Sequence, residues 1–389
     1  MAFLRSVLPL LVVSAIFAVE HMISEPYCVV SGRGGEGASH PDDLKVMMVA
    51  DLLLLGSDAG YVETRFRDSF KSKFFRKSLE KLKPDMIVVL GDISAKGWQL
   101  TGSKWLTVLQ QFYKILGPAV EFPLHIALGD RDIGECSELD EQFISQIVSN
   151  MPGLGSSGCS AFAIGNISFV SLNAVSLLCG NNDLRFSVEK VIERESNDLR
   201  KQIKETMEKN SKPTVRTEDS DNFHWRDNQM EPHSGPVLLL HFPLYREKRS
   251  ICRDEGISAY SCNCLEKVED SKFVDAGPYE LERTLPVNAT EYIFQALKPR
   301  IVFSAHSHSF CDHTHSDGTR EVTVPSMTWG TGKKPEFVSV IFGQKKAVSV
   351  KHCSFASEQY VILSHFGLFM LFIPILLVFT SSHFVTAMY

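Results

Sequence analysis

Five times along this chain a short apolar run of the kind that makes a buried strand stops on a residue able to ligate a metal ion. Met86 to Leu90 is followed by Gly91 and Asp92. Lys45 to Ala50 runs into Asp51, His125 to Gly129 into Asp130, Val237 to Leu240 into His241, and Ile301 to Ala305 into His306. Short runs rich in Val, Ile and Leu, with no polar alternation, predict strands covered on both faces, as in parallel sheets of α/β proteins. In open α/β sheets ligands bind beyond the carboxyl ends of the strands. Acids and histidines delivered there together predict a metal site, since carboxylate and imidazole are the ligands that divalent ions take.

The segments between these runs fit such a fold. Over Tyr61 to Leu82, Phe66, Phe70, Phe74 and Leu79 recur at helical spacing, with Arg and Lys between them as a basic outer face. Lys83-Pro84-Asp85 ends that helix and the Asp92 run follows, which makes a βαβ unit. Trp105 to Leu116 predicts a second helix, stopped by Gly117-Pro118. Ala161 to Asn173 reads as a hairpin, Arg185 to Lys209 as a charged helix and Ala289 to Leu297 as another helix. Glu321 to Pro325, Glu336 to Phe342 and Ala347 to His352 alternate as antiparallel strands. Parallel units first and antiparallel strands last predict an α/β fold of two packed mixed β-sheets flanked by helices. With 389 residues, 44% of them hydrophobic, one large core suffices. The expected domain spans 44–352, with polar insertions at about 194–234 and 248–270 and a Gly-rich linker over 23–43.

The two ends predict membrane helices or targeting. Arg5 precedes the apolar Val7 to Val19, so 1–22 reads as a signal peptide or signal anchor. Residues 361–380 carry no charge and match the length a transmembrane helix needs. Asn166-Ile-Ser168 and Asn288-Ala-Thr290 have the form of glycosylation acceptors. Gly165-Asn166 also suits a hairpin turn, and Asn288 a helix cap. The nine cysteines are an odd number, with Cys252, Cys262 and Cys264 clustered where a disulfide would staple a lumenal insertion. A net charge of −6 and the lack of any Lys/Arg run of the length a polyanion-binding arm needs leave no footprint for nucleic acid.

The strand-end residues resemble the calcineurin-like metallophosphoesterases, whose pattern is Asp-x-His, Gly-Asp, Gly-Asn-His-Asp, a lone His after an apolar strand, and Gly-His-x-His. The resemblance runs from about Val46 to Phe342. His241-Phe-Pro-Leu-Tyr-Arg246 and Lys298-Pro-Arg-Ile-Val-Phe-Ser-Ala-His-Ser-His-Ser-Phe-Cys311 look like one branch, the membrane-anchored enzymes that remove an ethanolamine-phosphate branch from GPI anchors in the early secretory pathway. The resemblance implies two divalent ions, manganese foremost with zinc or iron as alternatives. One would be held by Asp51, Asp92 and His308, the other by Asp92, Asp130, His241 and His306. It also implies a phosphodiester substrate, GPI-anchored proteins as partners, a membrane of the endoplasmic reticulum or Golgi, and a lumenal catalytic domain. His306, Arg131 and Arg246 are then the groups expected to steady phosphate oxygens.

Three positions depart from the pattern: Leu53 replaces its first His, Asp130 its Asn and Arg131 its second His, while Ala305 for Gly is minor. Leucine cannot ligate, which weakens the first ion's site, whereas an acid at 130 adds charge that favours a cation at the second. Arg131 stays protonated, so it can hold a phosphate oxygen but cannot donate a proton to a leaving alkoxide. Both an internally rebuilt hydrolase and a catalytically decayed fold kept for binding or trafficking answer to this pattern.

Overall fold

The computed structural model describes residues 2–31, 40–151, 153–179, 183–210, 233–246, 252, 283–343, 347–370 and 372. In chain order the strands are β1 (Tyr27–Ser31), β2 (Leu44–Val49), β3 (Met86–Leu90), β4 (Leu124–Ala127), β5 (Ser160–Ile164), β6 (Ile167–Ser171), β7 (Val237–Leu239), β8 (Ile301–Ser304), β9 (Cys311–Thr314), β10 (Arg320–Thr323), β11 (Glu336–Phe342) and β12 (Val348–Ser354). The helices are α1 (Ala2–Ser24), α2 (Asp68–Leu82), α3 (Gly102–Leu116), α4 (Asp130–Ile133), α5 (Glu141–Val148), α6 (Ala174–Leu178), α7 (Asp183–Asn210) and α8 (Val287–Leu297).

The strands form two six-stranded mixed sheets, ordered β1-β12-β11-β2-β3-β4 and β5-β6-β7-β8-β10-β9. Within the first, β2, β3 and β4 are parallel; within the second, β6, β7, β8 and β10 are. The period of two along each strand assigns its side chains. Val46, Met48, Val88, Leu90, Val237, Leu239 and Phe303 meet between the sheets, while Met47, Val49, Ile87, Val89, Leu238 and Val302 pack on the opposite faces, where α2 adds Phe70, Phe74 and Phe75 and α3 adds Trp105 and Phe112. Both faces of the central strands are therefore covered, which is why their sequences lack polar alternation. The parallel strands of each sheet also end on a common edge.

Several expectations need correction. The presumed linker contains β1, which pairs antiparallel with β12 and is tied to it by the Cys28–Cys353 disulfide. Strand β10 pairs antiparallel with β9 but parallel with β8. The polar insertion expected at about 194–234 begins as the second half of α7; its residues 211–232 lie outside the described residues. In the insertion expected at 248–270 only Cys252 is described, and it bonds Cys311 rather than its near neighbours in sequence. A third disulfide joins Cys136 and Cys179, and Cys159 is buried and free.

The expected terminal membrane helices are not found: among the described residues no helix is long and apolar enough to cross a membrane. At the N-terminus α1 docks its last turns on α2, with Ile23 buried and Glu20 accepting from Lys73 Nζ at 2.7 Å. At the other end 358–370 is helical, and most of the remainder of the span expected at 361–380 lies outside the described residues. The basic outer face read for α2 also needs one exception, because Lys71 is buried. Gly165 and Asn166, both at positive φ, form the two-residue turn of the β5–β6 hairpin, as the sequence pattern allowed.

Candidate metal centre

Several of the ligand-type residues leave the strand ends by an uncommon backbone step. Asp51 (φ 51°), Asp92 (52°), His306 (68°) and His308 (53°) all take the left-handed conformation, as does Leu53 (51°). Such a conformation costs a non-glycine residue roughly 1–3 kcal/mol and persists only where the surroundings over-determine it. Here the determinants are backbone hydrogen bonds between neighbouring strand ends. Asp51 N donates to Gly91 O (3.1 Å), Leu53 N to Asp92 O (3.1 Å), Leu54 N to Ile93 O (2.7 Å) and Ala305 N to His241 O (2.8 Å). Gly91 and Gly129 let these turns touch. A Cβ on Gly91 would lie 2.5 Å from His241 Nδ1 and 2.8 Å from Gly129 N, and one on Gly129 would collide with the Asp92 carboxylate.

The result is a buried cluster assembled from both sheets. Asp51, Asp92 and His241 each offer an atom within 4.8 Å of the others, and so do Asp130, His241 and His306. His308, expected with Asp51 and Asp92, places Nδ1 3.5 Å from Asp51 Oδ2. His241 joins both sets, with Nε2 2.9 Å from Asp130 Oδ1 and 3.5 Å from Asp92 Oδ1. Its Nδ1 lies 2.7 Å from the Leu90 carbonyl, so that nitrogen donates and Nε2 is the atom turned to the cluster. His306 Nδ1 approaches the same Asp130 oxygen at 3.2 Å.

Electrostatics of these groups call for a cation. Both carboxylate oxygens of Asp51 are buried and have no hydrogen-bond partner among the described residues. Burial, reinforced by Asp130 and Asp132, pushes Asp51 up to about 7. Burial and the Asp130 charge likewise raise Asp92 well above the usual carboxylate range. Asp130 goes the other way: burial opposes its ionisation, but His306 and the hydrogen bond with His241 hold it well below that range. For His241, burial disfavours the charged ring, yet Asp92 and Asp130 raise it well above an ordinary histidine, while burial depresses His308. Three carboxylates and three imidazoles taken out of water, one acid with no donor to it, form a donor set that suits divalent ions with mixed oxygen and nitrogen ligands.

The remaining expected residues separate. Arg131 is buried beside the cluster, its N–H donating to Asp92 Oδ1 (3.0 Å), its Nη1 to Ala95 O (3.4 Å) and its Nε 3.9 Å from Asp92 Oδ2. Arg246 is placed differently from the expectation. Its Nε donates to Glu321 Oε2 (3.3 Å), Nη1 to Cys311 Sγ (3.3 Å) and Nη2 to Thr323 Oγ1 (2.6 Å). The fully buried Glu321 carboxylate requires a counter-charge, and meeting that need commits the guanidinium there rather than to a phosphate. Leu53 stands where a ligand was expected, 2% exposed and a member of neither apolar core.

One contributor went unassigned in the sequence. Asp132 is buried, and its carboxylate accepts from Gly129 N (3.1 Å) and Ser94 N (2.9 Å), clamping the Asp92 and Asp130 turns together. Its position three residues after Gly129, at the start of a helical turn, is the spacing by which an acid reaches back to a free N–H.

The chain is similar to known proteins. A family profile described as calcineurin-like phosphoesterase matches residues 44–310. Metallophosphoesterase 1 of Ailuropoda melanoleuca is 28% identical over 311 residues, covering 76% of this chain and 68% of that protein. The Xenopus laevis protein of the same name is 26% identical over 334 residues, with 83% and 76% covered. A Drosophila melanogaster metallophosphoesterase 1 homolog is 25% identical over 325 residues, with 83% and 79% covered.

Proposed function

The chain belongs to the calcineurin-like phosphoesterases, hydrolases acting on phosphoric ester bonds, and from that premise we propose that it is a two-metal phosphodiesterase of the secretory-pathway lumen whose substrate is the ethanolamine-phosphate branch of GPI anchors. The observation that carries the two-metal reading is the pair of buried ligand sets, Asp51/Asp92/His241 and Asp130/His241/His306, which share one imidazole. His308 adds to the first set from 3.5 Å. These residues would hold two divalent ions, manganese foremost, which would supply Lewis-acid charge for phosphoryl oxygens and a bound water of lowered pKa. The chain's own groups do the rest. Asp130 orients His241 and His306, Asp92 lies beside His241, and the ligand set is buried. Arg131 presents a fixed cation beside Asp92 that holds a phosphate oxygen but gives up no proton. Protonation of the leaving oxygen therefore falls to another group or to water.

A lumenal location draws support from three disulfides, because such bonds persist in oxidising compartments. The substrate class draws support from the resemblance of 241–246 and 298–311 to the GPI-remodelling branch. The membrane attachment and the GPI-anchored partners belong to the same proposal.

The test is ion content and phosphodiester turnover of the purified chain beside an Asp92→Asn variant, first on an aryl phosphodiester and then on GPI glycans. About two transition-metal ions per wild-type chain, with turnover at least about 100-fold lower in the variant, is the expected result, since removing a ligand exceeds the 10- to 100-fold typical of groups behind ligands. Wild-type chain without ions or turnover overturns the reading.

Leu53 favours a second reading, a decayed site kept for binding. The two readings part on two substitutions. In a decayed site Leu53→His revives turnover, whereas in a rebuilt one Asp130→Asn abolishes it.

A further inference from the structure

Lys71 is 1% exposed although it lies on a helix otherwise lined with surface cations. Its ammonium sits 3.3 Å from Leu52 O, 3.3 Å from Glu63 Oε1 and 3.9 Å from Asp68 Oδ1. Lysine is almost never buried to this degree unless its charge is matched and its donors are used, so the position invites a reason beyond packing.

The reason lies in the carbonyl it holds. Leu52 C=O and Leu53 N–H belong to one peptide unit, and that N–H donates to Asp92 O at 3.1 Å. The unit is thus pinned at both edges, by Lys71 from the helix and by the backbone of Asp92 from the metal centre. It leads directly into Leu53, which is in the left-handed conformation at φ 51°, and it follows Leu52, the residue next to Asp51, which is likewise at φ 51°. Without the pin on its carbonyl the unit can rotate about ψ of Leu52 and φ of Leu53, Leu53 can leave the left-handed conformation, and the turn 51–53 that aims the Asp51 carboxylate loosens. The absence of an imidazole at Leu53 makes the aim of Asp51 matter more. Glu63, the counter-ion of Lys71, is itself fixed: its Oε2 accepts from Arg67 Nη1 (3.0 Å), and Arg67 donates through Nε (2.7 Å) and Nη2 (3.2 Å) to Glu358.

We propose that Lys71 is a positioning residue for Asp51, fixing the Leu52–Leu53 peptide and through it the left-handed turn that presents the Asp51 carboxylate to a metal ion. The inference rests on the two-metal reading above. A residue that merely staples α2 to the sheet would affect melting alone; a positioning residue changes ion affinity.

The experiment is a Mn2+ titration of the full chain by calorimetry, with ion counting and melting temperature on the same samples, for wild type, Lys71→Met and Lys71→Arg. Expected is a Lys71→Met chain that binds one ion as wild type does and the other about 10- to 100-fold more weakly, the range found when groups behind metal ligands are removed. Lys71→Arg, which keeps a cationic donor near Leu52, recovers most of that loss. Two ions bound by Lys71→Met with wild-type affinity, whatever its melting temperature, overturn the inference and leave the two-metal reading standing. Wild-type chain that takes up no ion overturns both. Where Lys71→Met does not accumulate as folded protein, Glu63→Gln carries the test: it loosens the ammonium without removing it, several-fold weaker binding of one ion is expected, and unchanged affinity overturns the inference.

Discussion

Gly91 has two jobs that no other residue can combine. Its φ of 89° belongs to glycine, and the space beside its Cα is filled by His241 Nδ1 and the Gly129 N–H. Gly91→Ala therefore adds a strained conformation to a collision at the imidazole that both ligand sets share. We expect a stability loss of about 2 kcal/mol or more, with reduced ion content, as measured by urea denaturation and ion counting. Reduced stability with full ion content would mean that His241 tolerates displacement. Leu53 shows the opposite case, a residue of the wrong chemistry held in the backbone conformation that its ligating neighbours use. Arg246 shows how an arginine near a motif can be claimed by a different partner, here Glu321.

Strand β10 and the loop 242–246 meet through Glu321. The carboxylate accepts from Ser304 Oγ (2.6 Å), Leu244 N (3.2 Å) and Arg246, and lies 2.7 Å from His315 Nε2. Burial alone would raise this acid, but Arg246 and His315 bring it down from 4.5 to about 2. A depressed acid stabilises the fold fully above its unfolded value, and that contribution fades as pH falls from about 4.5 toward about 2, a difference on the order of 3 kcal/mol. Wild type should accordingly exceed Glu321→Gln in stability at pH 6, with the gap closing as pH falls through that window. Denaturant midpoints across pH 6 to roughly 3 give the measurement, and a gap independent of pH would assign Glu321 a role other than that of a charged partner. Elsewhere disulfides reinforce packing between elements: Cys28–Cys353 clips β1 onto β12, and Cys136–Cys179 ties the segment after α4 to the end of α6.

A cluster of buried carboxylates makes the whole fold depend on the ions it takes up. Ions that bind only the folded chain stabilise it by about 2.7 kcal/mol per site at roughly 100 times their Kd. Chelation should lower the melting temperature by several degrees, with manganese restoring it, and an unchanged melting temperature would show that the cluster takes up no ion. The general plan was legible in the residues, because local chemistry is written locally. Runs such as Met86 to Leu90 with no polar position mark strands covered on both faces, and a run that stops at Asp92 or His241 marks where a ligand emerges. Even the substitutions at Leu53 and Arg131 could be seen there. Partners distant along the chain could not. Lys71 and Arg67 share the composition of the exposed basic residues around them, and only the fold brings one under the Leu52 carbonyl and the other to Glu358. The same holds for Cys252 with Cys311, β1 with β12, and Arg246 with Glu321. Periodicity and side-chain chemistry fix what a residue is able to do; which charge it neutralises and which turn it holds depend on contacts that exist only once the two sheets have packed.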